Sequence, residues 1–389
     1  MVRLERELIL NYLWENYNDL LSSLQELVLA ESPSTNSHSQ RKILRMLSNY
    51  LNRLDYKTTL VPGKKTGGYL YARRQRRQRN QPVQLLVGHC DTVWPLDTLR
   101  EMPVQIEKNK MSGPGIYDMK AGLIQMLYAL QTLNQLKIEY PVSPVIVINS
   151  DEEIGSKESK TMIERVARIA DRALIMEPSL GLDGKLKTAR KGVGRFTIVI
   201  RGKAAHAGLD PGKGASAIAE LSHIIQKLFA MNDPEKGISV NVGFIEGGIR
   251  PNVVAPESKA VIDVRVPTHA DAQLIERQIK MLKPNDPEVT LEVEGKFGRP
   301  PMEPTEANRK LWSLAQKAGN QLGIPVEEAM AGGGSDGNTT SQYTATLDGL
   351  GAVGDGAHAQ HEFVFTDRLL ERTALLTYLI AADPVKPKS

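Results

Sequence analysis

The sequence predicts an α/β protein in which a smaller domain is inserted into a larger one. Its 389 residues exceed what a single hydrophobic core normally organises, so two domains are expected. Between residues 83 and 177, short apolar segments alternate with a helical pattern, which is typical of a buried, mostly parallel sheet. From about residue 189 the segments alternate polar and apolar side chains, which is typical of a sheet with one face toward water.

The larger domain is predicted from its apolar strands and from the helix between them. Strands are expected at residues 83–87, 145–148 and 173–176, and a helix is expected at residues 119–135. Prolines and glycines interrupt the chain close to these strands, so polar residues are expected to lie at the strand ends.

The smaller domain is predicted over residues 189–298. Its elements follow the order βαββαβ, a split unit that folds as one small layer, and they are expected at residues 195–201, 215–229, 239–244, 260–266, 270–282 and 289–294. Residues 299–389 return to helices and glycine-rich loops. They are therefore assigned, together with residues 1–188, to the larger domain.

Composition argues against several classes of protein. The apolar runs are far shorter than the roughly 20 residues that a membrane-spanning helix needs. Residues 1–10 mix leucines with charged residues, which predicts an amphipathic helix rather than a secretory signal. Cys90 is the only cysteine, so no intrachain disulfide can form, and the cytoplasm is the expected location.

The small net charge of +4 comes largely from an arginine-rich run at residues 73–79. This run lies between two strand-like segments, so it is interpreted as the solvated tip of a hairpin. Nucleic-acid binding is the alternative, but no aromatic residues are interleaved with the charges. Neither a nucleic acid nor a membrane is therefore expected as a partner.

Potential metal ligands follow the predicted strands, where an open α/β sheet forms its ligand crevice. His89 follows the first strand, and Asp91 is close enough in the chain to orient its imidazole. A hydrogen-bonded structural histidine is the alternative interpretation of His89. Asp118 immediately precedes the predicted helix, and there the alternative is an N-cap.

Carboxylates also follow the other two strands of the predicted sheet. Residues 151–153 are consecutive acidic residues, and at the end of a buried strand a bound cation would relieve their mutual repulsion. Glu177 follows the third strand, and His361 lies near the C-terminus. Histidine and carboxylate ligands without a thiolate suit catalytic zinc, cobalt or manganese.

Four motifs resemble those of a family of zinc exopeptidases and deacylases, and they occur in the family's order at residues 88–93, 115–120, 150–155 and 176–178. This family includes glutamate carboxypeptidase of the carboxypeptidase G type, succinyl-diaminopimelate desuccinylase, acetylornithine deacetylase and aminoacylase. The resemblance runs over nearly the whole chain. It implies a zinc-exopeptidase-like catalytic domain with an inserted ferredoxin-like domain that dimerises and closes over the site.

The resemblance also implies a site for two zinc ions, with cobalt or manganese as possible replacements. Asp118 would bridge the metals, His89 and Glu177 would complete one site, and Glu153 and His361 would complete the other.

Further residues take their implied roles from the same resemblance. Asp91 would orient His89, and Glu152 would act as the general base that moves a proton from water to the leaving amine. In the inserted domain, His206 would stabilise the oxyanion, reaching into the partner subunit's site. The alternative for His206 is an exposed loop histidine without a function.

The resemblance further implies residues that contact the substrate. Asn252 and Arg265 would grip its free carboxylate, and Arg299 is a further candidate for that contact. Asn252 and Arg265 have a structural alternative, which is to hold strands together. The glycine-rich loop at residues 332–337, including Gly334 and Ser335, would offer backbone donors.

The predicted function is therefore metal-dependent hydrolysis of an amide bond next to a free carboxylate. A homodimeric carboxypeptidase that releases C-terminal glutamate from peptide-like or N-acyl substrates is favoured. An N-acyl-amino-acid deacylase is the alternative within the family. A non-catalytic binding protein on the same fold is the alternative of another class.

Overall fold

The computed structural model describes residues 5–76, 78 and 80–385. The chain forms two compact units, of which the first comprises Met1–Thr188, Pro304–Ala331 and Ser335–Ser389, and the second comprises Ala189–Glu303 and Gly332–Gly334. The sequence placed the return to the larger domain at residue 299. The structure instead keeps Arg299 in a strand of the second unit, and the chain returns at Pro304.

The elements up to the start of the second unit are α1 (Arg6–Glu15), α2 (Tyr17–Leu29), α3 (Ser37–Arg53), β1 (Tyr56–Val61), β2 (Tyr69–Arg74), β3 (Val83–His89), β4 (Gln105–Glu107), β5 (Lys110–Ser112), α4 (Ala121–Gln135), β6 (Ser143–Asn149), α5 (Lys160–Ile169), β7 (Ala170–Ile175) and β8 (Leu186–Arg190). The second unit contains β9 (Gly192–Arg201), α6 (Ala217–Phe229), β10 (Ser239–Gly247), β11 (Glu257–Val266), α7 (His269–Lys280) and β12 (Thr290–Arg299). After it come α8 (Glu306–Leu322), β13 (Glu328–Ala331), α9 (Asp336–Thr340), β14 (Ala345–Leu347), β15 (Gly354–Asp355), β16 (Phe363–Phe365) and α10 (Thr366–Ala381).

The central sheet of the first unit has the strand order β1-β2-β6-β3-β7-β14. Strands β6, β3, β7 and β14 are parallel, whereas β1 and β2 are antiparallel additions at one side. Every residue of β3, β6 and β7 is buried, because their side chains pack alternately into two apolar clusters. Helix α5 covers one face of the sheet, and α4 and α10 contribute to the cluster on the other face. The predicted α/β class is confirmed.

The arginine-rich run does not form the predicted hairpin tip. Strands β2 and β3 do not pair with each other, since β6 lies between them and pairs with both. Strands β2 and β3 are therefore not the two arms of a hairpin. Arg77 and Arg79 lie outside the described residues.

The second unit is an antiparallel sheet of strand order β10-β11-β9-β12 with helices α6 and α7. Its elements follow the order βαββαβ along the chain. Alternate residues of β11 are buried, and they pack with the apolar residues of the two helices in one cluster. Strand β10 is an edge strand, and it exposes Phe244 and Ile245 by 48% and 59%.

Arg372 is a buried cation that links two loops of the first unit. Its guanidinium donates to the carbonyl oxygens of Gly184, Gly349 and Gly351, and burial lowers its pKa to about 10.

We expect Arg372→Met to lower the free energy of unfolding by about 3 kcal/mol, because the three buried carbonyl oxygens lose their charged donor. Denaturant unfolding measures this loss. Arg309→Met, on the exposed side of α8, is the control and should change stability by less than about 0.5 kcal/mol; equal losses in the two variants would contradict the prediction.

Within the described residues, no helix combines the length and the apolar character needed to cross a membrane.

Candidate metal centre

The candidate site lies at the carboxyl ends of three parallel strands. His89 is the last residue of β3, residues 151–153 follow β6, and Glu177 follows β7. Because neighbouring parallel strands end at the same edge of a sheet, their following residues come together there. His89 Nε2 lies 3.6 Å from Glu177 Oε1, and the ligand atoms of His89, Glu152 and Glu177 lie within 4.8 Å of one another.

Asp118 lies between two histidines. Its Oδ1 is 3.2 Å from His89 Nε2, and its Oδ2 is 3.4 Å from His358 Nε2. The backbone at Asp118 is extended, the following peptide bond is cis, and Lys120 is the N-cap of α4. Asp118 is therefore not the helix cap that the sequence offered as the alternative, and its carboxylate faces both sides of the cluster.

His358 occupies the position for which the sequence prediction named His361. His358 Nε2 is 3.2 Å from Glu153 Oε2, whereas His361 contacts none of the carboxylates in the described part of the chain. The reason is the turn that joins β15 to β16, in which Ala359 N donates to Gly356 O and His358 adopts a left-handed φ of 61°. This turn directs His358, rather than the predicted His361, toward the carboxylates.

Asp91 lies behind the cluster and holds two of its segments. Its carboxylate accepts hydrogen bonds from the backbone N–H groups of Glu152 and Glu153, each at 3.2 Å, and from Ser34 Oγ at 2.8 Å. His89 Nδ1 lies 3.5 Å from this carboxylate and 3.0 Å from the Asp91 carbonyl oxygen. Asp91 therefore fixes the loop that carries the two glutamates as well as the orientation of His89.

The cluster gathers more buried carboxylates than histidines, and its pKa values reflect this excess. Burial opposes protonation of His89, but hydrogen bonds to Asp118 and Asp91 outweigh it and raise its pKa well above the usual value. Hydrogen bonds to Asp118 and Glu153 raise the pKa of His358 to about 10. Burial raises the pKa of Glu153. The site therefore attracts positive charge.

The residues fit divalent metal ions on two further observations. Among the described residues, Glu153 Oε1 is buried without a hydrogen-bond partner, which is costly for a carboxylate oxygen unless a cation binds there. Asp118, with a different histidine near each oxygen, has the arrangement of a bridging ligand. Imidazole and carboxylate donors without thiolate suit zinc, cobalt or manganese.

We expect Asp118→Asn to release metal, because a neutral amide is a poor bridge between two cations. The metal content of the purified variant, measured by atomic emission, should fall below that of the wild type at both positions. Asp367→Asn replaces an exposed carboxylate in α10 and is the matched control. Full metal content in the folded Asp118→Asn variant would reject the bridging role.

The second unit carries His206 on a segment that runs beside Asn252. Ala207 N donates to Asn252 O at 3.0 Å, and both His206 and Asn252 are exposed. His206 Nδ1 accepts hydrogen bonds from the backbone N–H groups of Gly208 and Leu209, each at 3.1 Å. In the neutral imidazole the proton therefore lies on Nε2, which makes Nε2 a hydrogen-bond donor.

The two candidate arginines of the second unit lie in different surroundings. Arg265, on β11, binds Asp263 through both Nε and Nη2, at 2.6 and 3.1 Å. A substrate carboxylate at Arg265 would therefore have to compete with Asp263. Arg299 is the last residue of β12, is half-buried, and pairs with Val193 of β9.

The glycine-rich loop differs from its prediction at Ser335. Ser335 is buried, its Oγ binds Asp348 and caps α9, and its N–H donates to Asn338 Oδ1. The Oγ and the N–H of Ser335 are therefore both occupied at the start of α9, and neither is left to contact a substrate. Gly334 precedes this helix and is half-buried, and Gly333 O accepts a hydrogen bond from Arg190.

The comparisons with known proteins agree with this geometry. Residues 85–382 match the peptidase family M20/M25/M40. The chain belongs to this family. The predicted resemblance is therefore confirmed, and this M20-family protein is a hydrolase.

Individual relatives differ in the reactions that their names describe. Carboxypeptidase G2 of a Pseudomonas species is 30% identical over 308 residues, which are 76% of this chain and 72% of that protein. Acetylornithine deacetylase of Myxococcus xanthus is 30% identical over 193 residues, 46% of this chain and 48% of that protein. The aminopeptidase PepT of Bacillus cereus shares the fold with a TM-score of 0.77 at 21% identity, covering 94% of this chain and 98% of that chain.

Proposed function

We propose that this M20-family protein is a dinuclear zinc carboxypeptidase that releases C-terminal glutamate from peptide-like or N-acyl substrates. The observation that carries the proposal is the position of Asp118, whose oxygens lie near His89 on one side and His358 on the other. Glu177 then belongs with His89, and Glu153 belongs with His358. The likeness to carboxypeptidase G2 supports the choice of carboxypeptidase.

Glu152 is proposed as the general base. Its carboxylate lies with His89 and Glu177 at the cluster, and its backbone is held by Asp91. Bound zinc would supply polarisation of the scissile carbonyl and a lowered pKa of the attacking water. Glu152 would take a proton from that water at its carboxylate oxygen and pass it to the leaving amine.

His206 is proposed to donate a hydrogen bond to the oxygen of the scissile carbonyl. Its Nδ1 is occupied by two backbone N–H groups, so Nε2–H is the donor in the neutral ring. Such a donor stabilises negative charge that develops on this oxygen during hydrolysis. Asn252, Arg299 and the backbone of Gly334 are proposed to contact the substrate.

A homodimer through the second unit is part of the same proposal. Strand β10 is a sheet edge, and it exposes Phe244 and Ile245. An exposed edge strand with apolar side chains readily pairs with a second strand. Light scattering should show twice the chain mass at working concentration, and a monomer would contradict this part of the proposal.

A deacylase that acts on N-acyl amino acids is the second candidate, favoured by the likeness to acetylornithine deacetylase. The two activities share every metal ligand and differ in the side of the amide bond that is recognised. The deciding experiment is hydrolysis of a panel of dipeptides and N-acyl amino acids by the metal-loaded protein.

The panel is measured before chelation, after chelation, and after zinc, cobalt or manganese is restored. Release of C-terminal glutamate that stops on chelation and returns with metal supports the carboxypeptidase. Preference for short acyl groups over any particular amino acid supports the deacylase. Metal binding without hydrolysis of any substrate would reject both activities and favour a binding protein.

A further inference from the structure

We infer that Glu362 is a positioning residue that holds Asp118 and His358 in the geometry needed to bind metal. The inference rests on the metal site of the proposed function, although it does not depend on the substrate. Glu362 is fully buried, and it lies at the end of the turn that carries His358.

The carboxylate of Glu362 accepts hydrogen bonds from four N–H groups. Oε1 accepts from the backbone N–H groups of Tyr117 at 2.9 Å and Asp118 at 3.0 Å. Oε2 accepts from the backbone N–H of Gly115 at 2.8 Å and from Trp94 Nε1 at 2.9 Å. One of the four donors is thus the backbone N–H of Asp118, the proposed bridging ligand.

These bonds fix an irregular segment, a short π-helical turn at Ile116–Lys120 that is interrupted by a kink. The backbone from Gly115 to Met119 turns sharply before α4 begins, and Asp118 and Met119 have non-helical dihedral angles. Without an acceptor, the buried N–H groups of this segment would be unsatisfied. Glu362 supplies the acceptor from the opposite loop, and so sets the position of the Asp118 carboxylate.

Glu362 is also tied closely to His358. Glu362 N donates to Ala359 O at 3.0 Å, and a Cβ on Gly356 would lie only 2.8 Å from the Cα of Glu362. Residues 356–362 therefore form a compact turn with His358 near its tip. A carboxylate that binds the Asp118 segment from this turn sets the spacing between Asp118 and His358, which must close around the same metal.

A structural role alone would predict a different result from a positioning role. A carboxylate that only stabilises the fold affects unfolding, whereas one that sets the spacing of two ligands also affects metal affinity in the folded protein. Partners that orient metal ligands typically change affinity by about 10–100-fold when they are removed. Metal affinity of the folded variant is therefore the deciding measurement.

Glu362→Gln is the first variant. Each oxygen of Glu362 faces two donors, so an amide would place its NH2 group against two N–H groups in either orientation. We expect the affinity for Zn²⁺, measured by competition with a chromophoric chelator, to fall by about 10–100-fold. Glu362→Asp keeps both acceptors on a shorter side chain, and we expect it to recover part of the lost affinity.

Glu158→Gln is the matched control. Glu158 accepts hydrogen bonds from the N–H groups of Lys64 and Lys65 and from Thr66 Oγ1, so it also holds a loop, but that loop carries none of the proposed ligands. The Zn²⁺ affinity of Glu158→Gln should stay within about threefold of the wild-type value. This change is much smaller than the one expected when a residue that orients a metal ligand is removed. Equal losses in Glu158→Gln and Glu362→Gln would overturn the inference.

Trp94→Phe keeps the test decisive if Glu362→Gln does not fold. The indole is half-buried, and the change removes a single donor to Glu362. We expect a smaller loss of Zn²⁺ affinity in the same direction, and wild-type affinity in folded Trp94→Phe and Glu362→Asp would overturn the inference. Because the readout is metal binding, absent hydrolysis would reject the proposed function while leaving this result intact.

Discussion

Replacing His358 by alanine is expected to weaken metal binding at one of the two proposed positions by more than about 100-fold. The effect is this large because the change removes a proposed metal ligand, and not only a residue that orients a ligand. His358 Nε2 lies 3.2 Å from Glu153 and 3.4 Å from Asp118, so its loss opens the side of the cluster opposite His89. Isothermal titration of the metal-free protein with Zn²⁺ measures both positions. The expected isotherm retains one strong site and loses the other.

His361→Ala is the matched control for this prediction. The residue is a histidine of the same turn, but unlike His358 it contacts none of the carboxylates among the described residues. Zinc affinity and hydrolysis should both equal those of the wild type. Loss of a site in His361→Ala, together with wild-type binding in His358→Ala, would show that the turn adopts a different conformation around metal.

Glu152→Gln is expected to lower turnover by about 100-fold or more while metal content stays at the wild-type level, because loss of a general base typically costs that much. The amide is nearly isosteric but cannot take the proton from water. Turnover is measured with the best substrate of the panel, and metal content is measured on the same sample.

Glu153→Gln provides the comparison, because it lies next in the chain but faces His358. It should lose metal together with activity, whereas Glu152→Gln should lose activity alone. If both variants lose metal, Glu152 is a ligand rather than a base. If Glu152→Gln retains full turnover, the proton is carried by another group.

The site residues that follow strands β3, β6 and β7 are predicted by patterns that are local in the sequence. Apolar segments of strand length predict β3, β6 and β7, and a polar residue directly after such a segment lies at the carboxyl edge of the sheet. His89, Glu153 and Glu177 are therefore predictable from the sequence alone. The ordered motifs added the implied roles, which periodicity alone does not supply.

The order of strands in the sheet was not accessible in the same way. The arginine-rich connection was interpreted as a hairpin because β2 and β3 are consecutive in the chain. In the structure β6 lies between them, although it comes more than fifty residues after β3. Pairing of this kind depends on which strands complete a common core, and a local pattern carries little information about it.

The sequence by itself determined the α/β class, the βαββαβ order of the second unit and the carboxylates at the strand ends, because each of these depends on residues that are close together in the chain. Only the tertiary structure decided between His358 and His361, and only it revealed that Glu362 accepts a hydrogen bond from the backbone N–H of Asp118. Both outcomes depend on a turn of irregular backbone that packs against a distant segment. In such a turn, the direction of a side chain is set by long-range hydrogen bonds rather than by a repeating period.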